Sequence, residues 1–374
     1  MWGTSLRKVA DEAQFLALLR LVKMVAPHAG VTILARPHPD AIDISRDRAV
    51  SIIPTSDLAT VAKTLARADL FIMVGGCFME SPRQAAVCST LMVIATACRT
   101  PVIAIGVTAF PYRRPWARWI YRRVLNATQE ITVREPAAQK ALSDLSVRTR
   151  ITRLDDPRYV LTPTPNDTSN GLLETLGLAQ HRPLVCVTLR HLHDNMPEWV
   201  KVSHGYSQNA VDRANESLAR ALDTLATEAQ LVVLPMHATR DEDMAAAAAI
   251  KARMRNPQTL CCNLPPLRAL QLLSFVKRCD LVLASRLAAG MFSVSTATPV
   301  IGIAYEKRLI DLMSSVGLGT YVVPWLGADS DHLEAIAKRA WAARRHIRTL
   351  LLSSSRSVVE SARSNAGVIA RHLV

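Results

Sequence analysis

Glycine is scarce in this chain, at 14 of 374 residues. A share that low excludes collagenous and low-complexity architectures. Aromatic residues make up only 5%, without the spacing of an RNA-recognition sheet, and no zinc-finger pattern occurs. Nucleic acid is therefore not expected as a partner. The seven cysteines are an odd number, form no paired CxxC spacing and fall mostly inside apolar runs. They read as reduced core residues of a cytosolic protein rather than a disulfide framework or a metal site. Neither GxGxxG nor GxxxxGK(S/T) appears, which argues against a dinucleotide or P-loop site. The longest apolar stretch, Leu91–Phe110, is broken by Arg99 and Pro101, so no membrane-spanning helix is expected. Residues 1–20 lack the layout of a secretory signal.

What the chain has in excess is positive charge: 45 Lys and Arg against 31 Asp and Glu, a net +14. The excess runs through both halves, so anionic ligands are expected in general. Hydrophobic residues are 49%, enough to bury the cores of two domains at this length.

Short β-rich runs alternate with longer amphipathic stretches. In the first half Val31–Arg36, Val50–Ile53, Leu70–Val74, Val102–Gly106 and Ile131–Arg134 are predicted strands. Asp57–Arg67, Gln84–Cys98 and Pro136–Leu145 are predicted helices between them. The second half repeats the scheme with strands at Leu184–Arg190, Leu231–His237, Thr259–Leu264, Leu281–Arg286, Val300–Tyr305 and Tyr321–Val323. Strand and helix in steady order predict parallel sheets with helices on both faces. Leu161–Gly171 (LTPTPNDTSNG) has no periodicity and reads as a linker. The expected organisation is thus an α/β protein of two Rossmann-like parallel-sheet domains facing a cleft. Residues 1–160 form the first, 161–171 the linker, and 172–374 the second with its terminal helices.

Ligands of such sheets bind at the carboxyl ends of the strands. Leu70–Val74 runs into Gly75-Gly76, a turn that is either an anion cradle or a plain tight connection. Five more strands end in groups that carry charge or move protons: Arg134-Glu135, Arg190-His191, His237 with Arg240, Asp241 and Asp243, Arg286, and Tyr305-Glu306-Lys307. Guanidinium groups bind carboxylate and phosphate bidentately, so a small polyanion suits them. The run His191–Asp194 (HLHD) completes no recognised metal spacing, and no metal is expected. No GxSxG elbow exists for a serine hydrolase.

Residues 113–124 (RRPWARWIYRRV) differ in kind. As a helix they place Trp116, Trp119, Ile120 and Val124 on one face and Arg114, Arg118 and Arg122 on another. Such a helix either lies on an anionic membrane surface or packs against a core with a solvated basic back.

At these residues the chain resembles the polysaccharide pyruvyl transferase family. Leu281–Leu318 is similar to the family's stretch in which an Arg-Leu-His triplet opens a helix and a later strand ends in Tyr-x-Lys. TVRE at Thr132–Glu135, TLR at Thr188–Arg190, PMH at Pro235–His237 and the Gly75-Gly76 turn appear in the family's order. Val9–Ala13 resembles its Gly-Asp-Glu-Ala turn. The likeness runs from about residue 9 to 325. It implies two domains of the glycosyltransferase-B type and transfer of pyruvyl from phosphoenolpyruvate onto a sugar of a cell-surface polysaccharide, or its lipid-linked precursor, as a ketal. Phosphoenolpyruvate would be the donor substrate, with no further cofactor, and the protein would be cytoplasmic, at the inner face of the membrane if its acceptor is lipid-linked. Residue by residue, Arg286 would hold the donor. Arg134, Arg190 and Lys307 would be further ligands of phosphate or carboxylate. His237 is the best-placed acid or base, and Glu135, Asp241 and Glu306 are further carboxylates for that role.

Ala288 stands where the triplet has His, which leaves the proton-transfer role to His237 or His191, or leaves the protein silent. Ala10 replaces the turn glycine. The few residues before that turn are too short for an opening strand, so the sheet is expected to lack it or the start to lie upstream. Two rival readings remain: a nucleotide-sugar glycosyltransferase of the same fold using Glu306 near a ribose, and a catalytically silent anion- or glycan-binding homologue.

Overall fold

Runs such as Val102–Val107 (VIAIGV) and Val300–Ala304 (VIGIA) are buried along their whole length. That is the mark of parallel strands covered on both faces. The computed structural model describes residues 1–3, 9–35, 50–75, 78, 81–109, 111–164, 167–190, 207–236, 241–265, 267–325 and 330–373. The chain divides into two compact units, Met1–Leu161 with Val358–Val374, and Thr162–Ser357.

The strands of the first unit are β1 (Val31–Leu34), β2 (Val50–Ile53), β3 (Phe71–Val74), β4 (Val102–Val107), β5 (Glu130–Val133) and β6 (Arg150–Arg153). β1 pairs with β2, and β3 to β6 pair in sequence order, all parallel. Met1–Gly3 joins the two sets: Trp2 bridges Leu34 on one side and Met73 on the other. Leu34 N–H donates to Met1 O (2.7 Å), and Trp2 N–H to Ile72 O (2.9 Å). The opening strand expected to be absent is therefore represented by a short stub, and the sheet reads β2-β1-stub-β3-β4-β5-β6. The Met1 ammonium donates to Thr32 O at 2.7 Å, and burial lowers its pKa to about 5. Met1, Val31, Thr32, Leu70, Phe71 and Ile72 line part of a cavity of about 560 Å³.

The second unit holds β7 (Leu184–Thr188), β8 (Gln230–Val233), β9 (Leu260–Cys261), β10 (Leu281–Ala284), β11 (Val300–Ala304) and β12 (Val322–Pro324). They form one parallel sheet in the order β12-β11-β10-β7-β8-β9. In both units the order reverses beside the first strand, the doubly wound Rossmann arrangement, with a crevice where the reversal occurs.

Four boundaries depart from the sequence reading. The polar stretch taken as a linker contains the start of a helix, Asp167–Thr175. Leu173 is buried there, and Thr164 is fixed to Ser274 through its N–H (2.8 Å) and hydroxyl (2.7 Å). β6 was not predicted, because its RITR sequence is charged at both ends, as edge strands often are. The Val9–Ala13 turn is the opening of a helix, Val9–Val25. Finally, Val358–Val374 belongs to the first unit rather than to the second. The buried Asn365 explains this, since it accepts from Thr132 Oγ1 (2.9 Å) and donates to Asp155 O (3.2 Å). Glu130, at 2% exposure, is held by Arg371 (2.8 Å) and His372 (3.1 Å).

Candidate functional site

The carboxyl edge of each sheet collects the groups with chemistry, and each unit is described by itself. In the second unit the order reverses between β7 and β10, and the strands there run into Leu189-Arg190 and Ser285-Arg286. The two ends are tied together: Ser285 N–H donates to Thr188 Oγ1 (3.1 Å) and its hydroxyl to Thr188 O (2.6 Å). Arg286, 7% exposed, opens the helix Leu287–Ser295. Its Nε donates to Leu189 O at 2.9 Å, and its Nη2 pairs with Asp243 Oδ1. Asp243 is fully buried and accepts from Met236 N–H (2.7 Å) with its other oxygen. The guanidinium is thus braced along one edge while, among the described residues, no hydrogen bond engages its Nη1, an arrangement suited to binding a planar anion.

Arg190 lies over the Tyr305 ring, 5.7 Å from its centroid. Burial and the neighbouring Glu306 charge raise the Tyr305 phenol, against the pull of Arg286, Arg190 and Arg308. Those causes place Arg286, Arg190, Tyr305 and Glu306 in one electrostatic neighbourhood. Glu306 is 6% exposed and gripped by Arg308 at 2.6 Å. As the structure stands, its carboxylate is an ion-pair partner rather than a free base. Lys307 is directed elsewhere: its side chain is 78% exposed and pairs with Asp311 one helical turn on (2.6 Å). Trp325, next after β12, is buried with an Nε1–H that has no partner among the described residues. Ala288 is buried in the first turn after Arg286. His237, Gly76, the side chain of Asp241 and the His191–Asp194 run lie outside the described residues. Among the described residues no group of His, Cys, Asp or Glu is arranged to hold a metal ion.

In the first unit the reversal lies beside the stub, where β3 runs into Gly75. A Cβ at Gly75 would sit 1.8 Å from Gly106 O, so only glycine allows this approach of β3 and β4. Gly75 O accepts from Thr108 N–H (3.2 Å), and Thr132 Oγ1 accepts from Gly106 N–H (2.8 Å). Around this point three buried polar atoms have no hydrogen-bond partner among the described residues: Gln14 Nε2, Thr108 Oγ1 and Arg134 Nε. Gln14 Nε2 lies 3.3 Å from where a Gly75 Cβ would be. Buried donors left unpaired are costly, and a cluster of them marks a place for a polar ligand.

Arg134 also pairs with Asp156, whose carboxylate is held by Arg158 Nε (2.9 Å) and Nη2 (2.8 Å). Burial alone would raise the Asp156 pKa, but the Arg158 and Arg134 charges outweigh it and hold the group well below the usual carboxylate range. Sequence reading selected Arg134 but not Asp156, Arg158, Gln14 or Thr108. Gln14 directly follows the Asp11-Glu12-Ala13 run, which was the one available signal. The others are joined to the site only by the fold.

Comparison with known proteins agrees with this architecture. The UDP-GlcNAc 2-epimerase of Neisseria meningitidis, solved bound to UDP-GlcNAc, superposes with a TM-score of 0.61 at 10% identity, covering 99% of each chain. The spinosyn forosaminyltransferase SpnP gives 0.58 at 12% identity, covering 99% of this chain and 98% of that one. Alr3699/HepE of Anabaena, solved with UDP and glucose, gives 0.58 at 13%, covering 100% and 98%. At such identities these likenesses establish the two-domain, Rossmann-like fold of glycosyltransferase-B type and nothing finer. No curated protein matches the chain significantly in sequence. The model of the family described as polysaccharide pyruvyl transferase matches residues 11–307, covering β1 to β11 and every described candidate above except Trp325. This chain belongs to the polysaccharide pyruvyl transferase family.

Proposed function

We propose that the protein transfers the pyruvyl group of phosphoenolpyruvate to two hydroxyls of a glycan, or of its lipid-linked precursor, forming a cyclic ketal. The observation that carries this reading is Arg286 at the strand-order reversal of the second unit, braced by Asp243 and Leu189 O beside Arg190. Phosphoenolpyruvate presents a carboxylate and a phosphate to such a pair. Family membership supports the polysaccharide as the molecule modified.

Chemically, the enol methylene takes a proton and becomes the methyl group, leaving an electron-poor C2. The first sugar hydroxyl adds to C2 and gives up its proton. Phosphate then leaves with the C2–O bond pair, and the second hydroxyl adds at the same carbon with loss of its proton. The products are the ketal and inorganic phosphate. Arg286 and Arg190 stabilise the departing phosphate charge. His237 is the proposed acid for the methylene, replacing the family histidine absent at Ala288. Glu306 serves as a base only if Arg308 releases it. Gln14, Thr108 and Arg134 supply the polar contacts for a sugar in the first unit.

Calorimetric titration with phosphoenolpyruvate tests the donor. Charge-assisted hydrogen bonds of about 1.5–3 kcal/mol predict that Arg286→Ala binds roughly 10- to 100-fold more weakly. An intact protein that binds a nucleotide sugar and not phosphoenolpyruvate would instead be a glycosyltransferase of the same fold. Binding without turnover, with activity appearing in Ala288→His, would identify a silent homologue.

A further inference from the structure

Between Glu80 and Glu130 the chain carries no acidic residue and seven arginines. Five of them, Arg113, Arg114, Arg118, Arg122 and Arg123, are exposed along the helix Pro115–Asn126 and its entry. That helix is anchored to the core by Ala117, Tyr121, Val124 and Leu125, with Trp116 and Ile120 packed partly against it. Trp119 does not join them. It is 60% exposed, with the Arg123 guanidinium 4.5 Å from its ring centroid. The helix Pro82–Ala97, which packs against this one, exposes Val93 at 67%. A basic back that is merely solvated has no use for an exposed indole.

We propose that this helix pair is a peripheral membrane-docking surface for anionic phospholipid, with Trp119 entering the headgroup region and the arginines meeting the phosphates. Charge complementarity argues for an anionic partner, since no carboxylate lies on either helix to repel one. The apolar tips of Trp119 and Val93 argue for lipid rather than nucleic acid, because indole is enriched where apolar and polar phases meet. None of the described helices is long and apolar enough to cross a membrane, so docking here is superficial. The inference stands on this surface alone and does not depend on the donor reading.

The test is co-sedimentation of the full chain with vesicles of phosphatidylcholine alone or mixed equally with phosphatidylglycerol. Binding is expected to the mixed vesicles and not to the neutral ones. Each arginine near an anionic surface strengthens partitioning by roughly fivefold, so Arg118→Ser with Arg122→Ser is expected to weaken binding by about 25-fold. Trp119→Ala is expected to weaken it severalfold, and Trp119→Phe to restore most of the loss. All these side chains are exposed, so circular dichroism and Tm should match the parent, and calorimetric donor titration of the variants should be unchanged. No binding to mixed vesicles, equal binding by Trp119→Ala, or displacement from the vesicles by duplex RNA would each overturn the proposal.

Discussion

The two units share one plan and treat their charges differently. In the second, Arg286 is braced by a single buried carboxylate, Asp243, which spends its other oxygen on a backbone amide. In the first, one buried carboxylate, Asp156, holds two guanidiniums, Arg134 and Arg158, while Gln14 Nε2, Thr108 Oγ1 and Arg134 Nε have no hydrogen-bond partner among the described residues. The difference teaches that strand-end charge alone does not define a role. A guanidinium braced by one edge presents the other to a ligand, whereas one sharing a carboxylate with a second arginine is partly committed to structure. Polar neutral groups left over beside it suit sugar hydroxyls better than a polyanion.

The sharpest way to break this comparison is Asp156→Ala. It leaves two buried guanidiniums without their counter-charge, and a loss of about 3–5 kcal/mol is expected by urea unfolding. The pH dependence comes from the lowered pKa of the folded state. The stabilisation is full above the ordinary carboxylate range and disappears as pH falls below it, through the folded value. Asp156→Ala should flatten that acid limb.

Gly75→Ala comes next, with about 3 kcal/mol expected, because the new methyl meets backbone oxygen at 1.8 Å. Gly290 in the second unit is the control. A Cβ there meets only flexible side-chain ends, Leu309 at 2.9 Å and Leu312 at 3.3 Å, so Gly290→Ala should cost clearly less in the same assay.

The smallest effect separates the two candidate sites. Thr108→Val removes one unpaired hydroxyl, so acceptor KM should rise about fivefold, as for one neutral hydrogen bond, with phosphoenolpyruvate affinity unchanged. A change in donor affinity would merge the two sites.

Much of this was legible in the sequence. Runs such as Val102–Gly106 and Val300–Tyr305 announce buried parallel strands, and Arg190 and Arg286 stand out as the charged residues at which two such runs stop. Motif order also identified the family. Three misreadings have physical causes. RITR at Arg150–Arg153 is too charged to resemble a strand until its edge position is known. The polar residues taken as a linker begin a helix because Leu172, Leu173 and Leu176 come next at helical spacing. Trp119 shares a helical stripe with Trp116 and Ile120 on paper, yet the packing turns it outward.

The sequence by itself determined the alternation, the family and which charged residues end the strands, because these depend on local periodicity and short motifs. Only the tertiary structure decided which charges are committed. Arg286 meets Asp243 from 43 residues away, Arg134 meets Asp156 across 22, and Glu130 meets Arg371 across 241. Met1–Gly3 joins the sheet, through Trp2, only because Leu34 and Met73 flank it. Ion pairing in a buried site depends on distance in space and on the cost of desolvation, and neither is written in chain order.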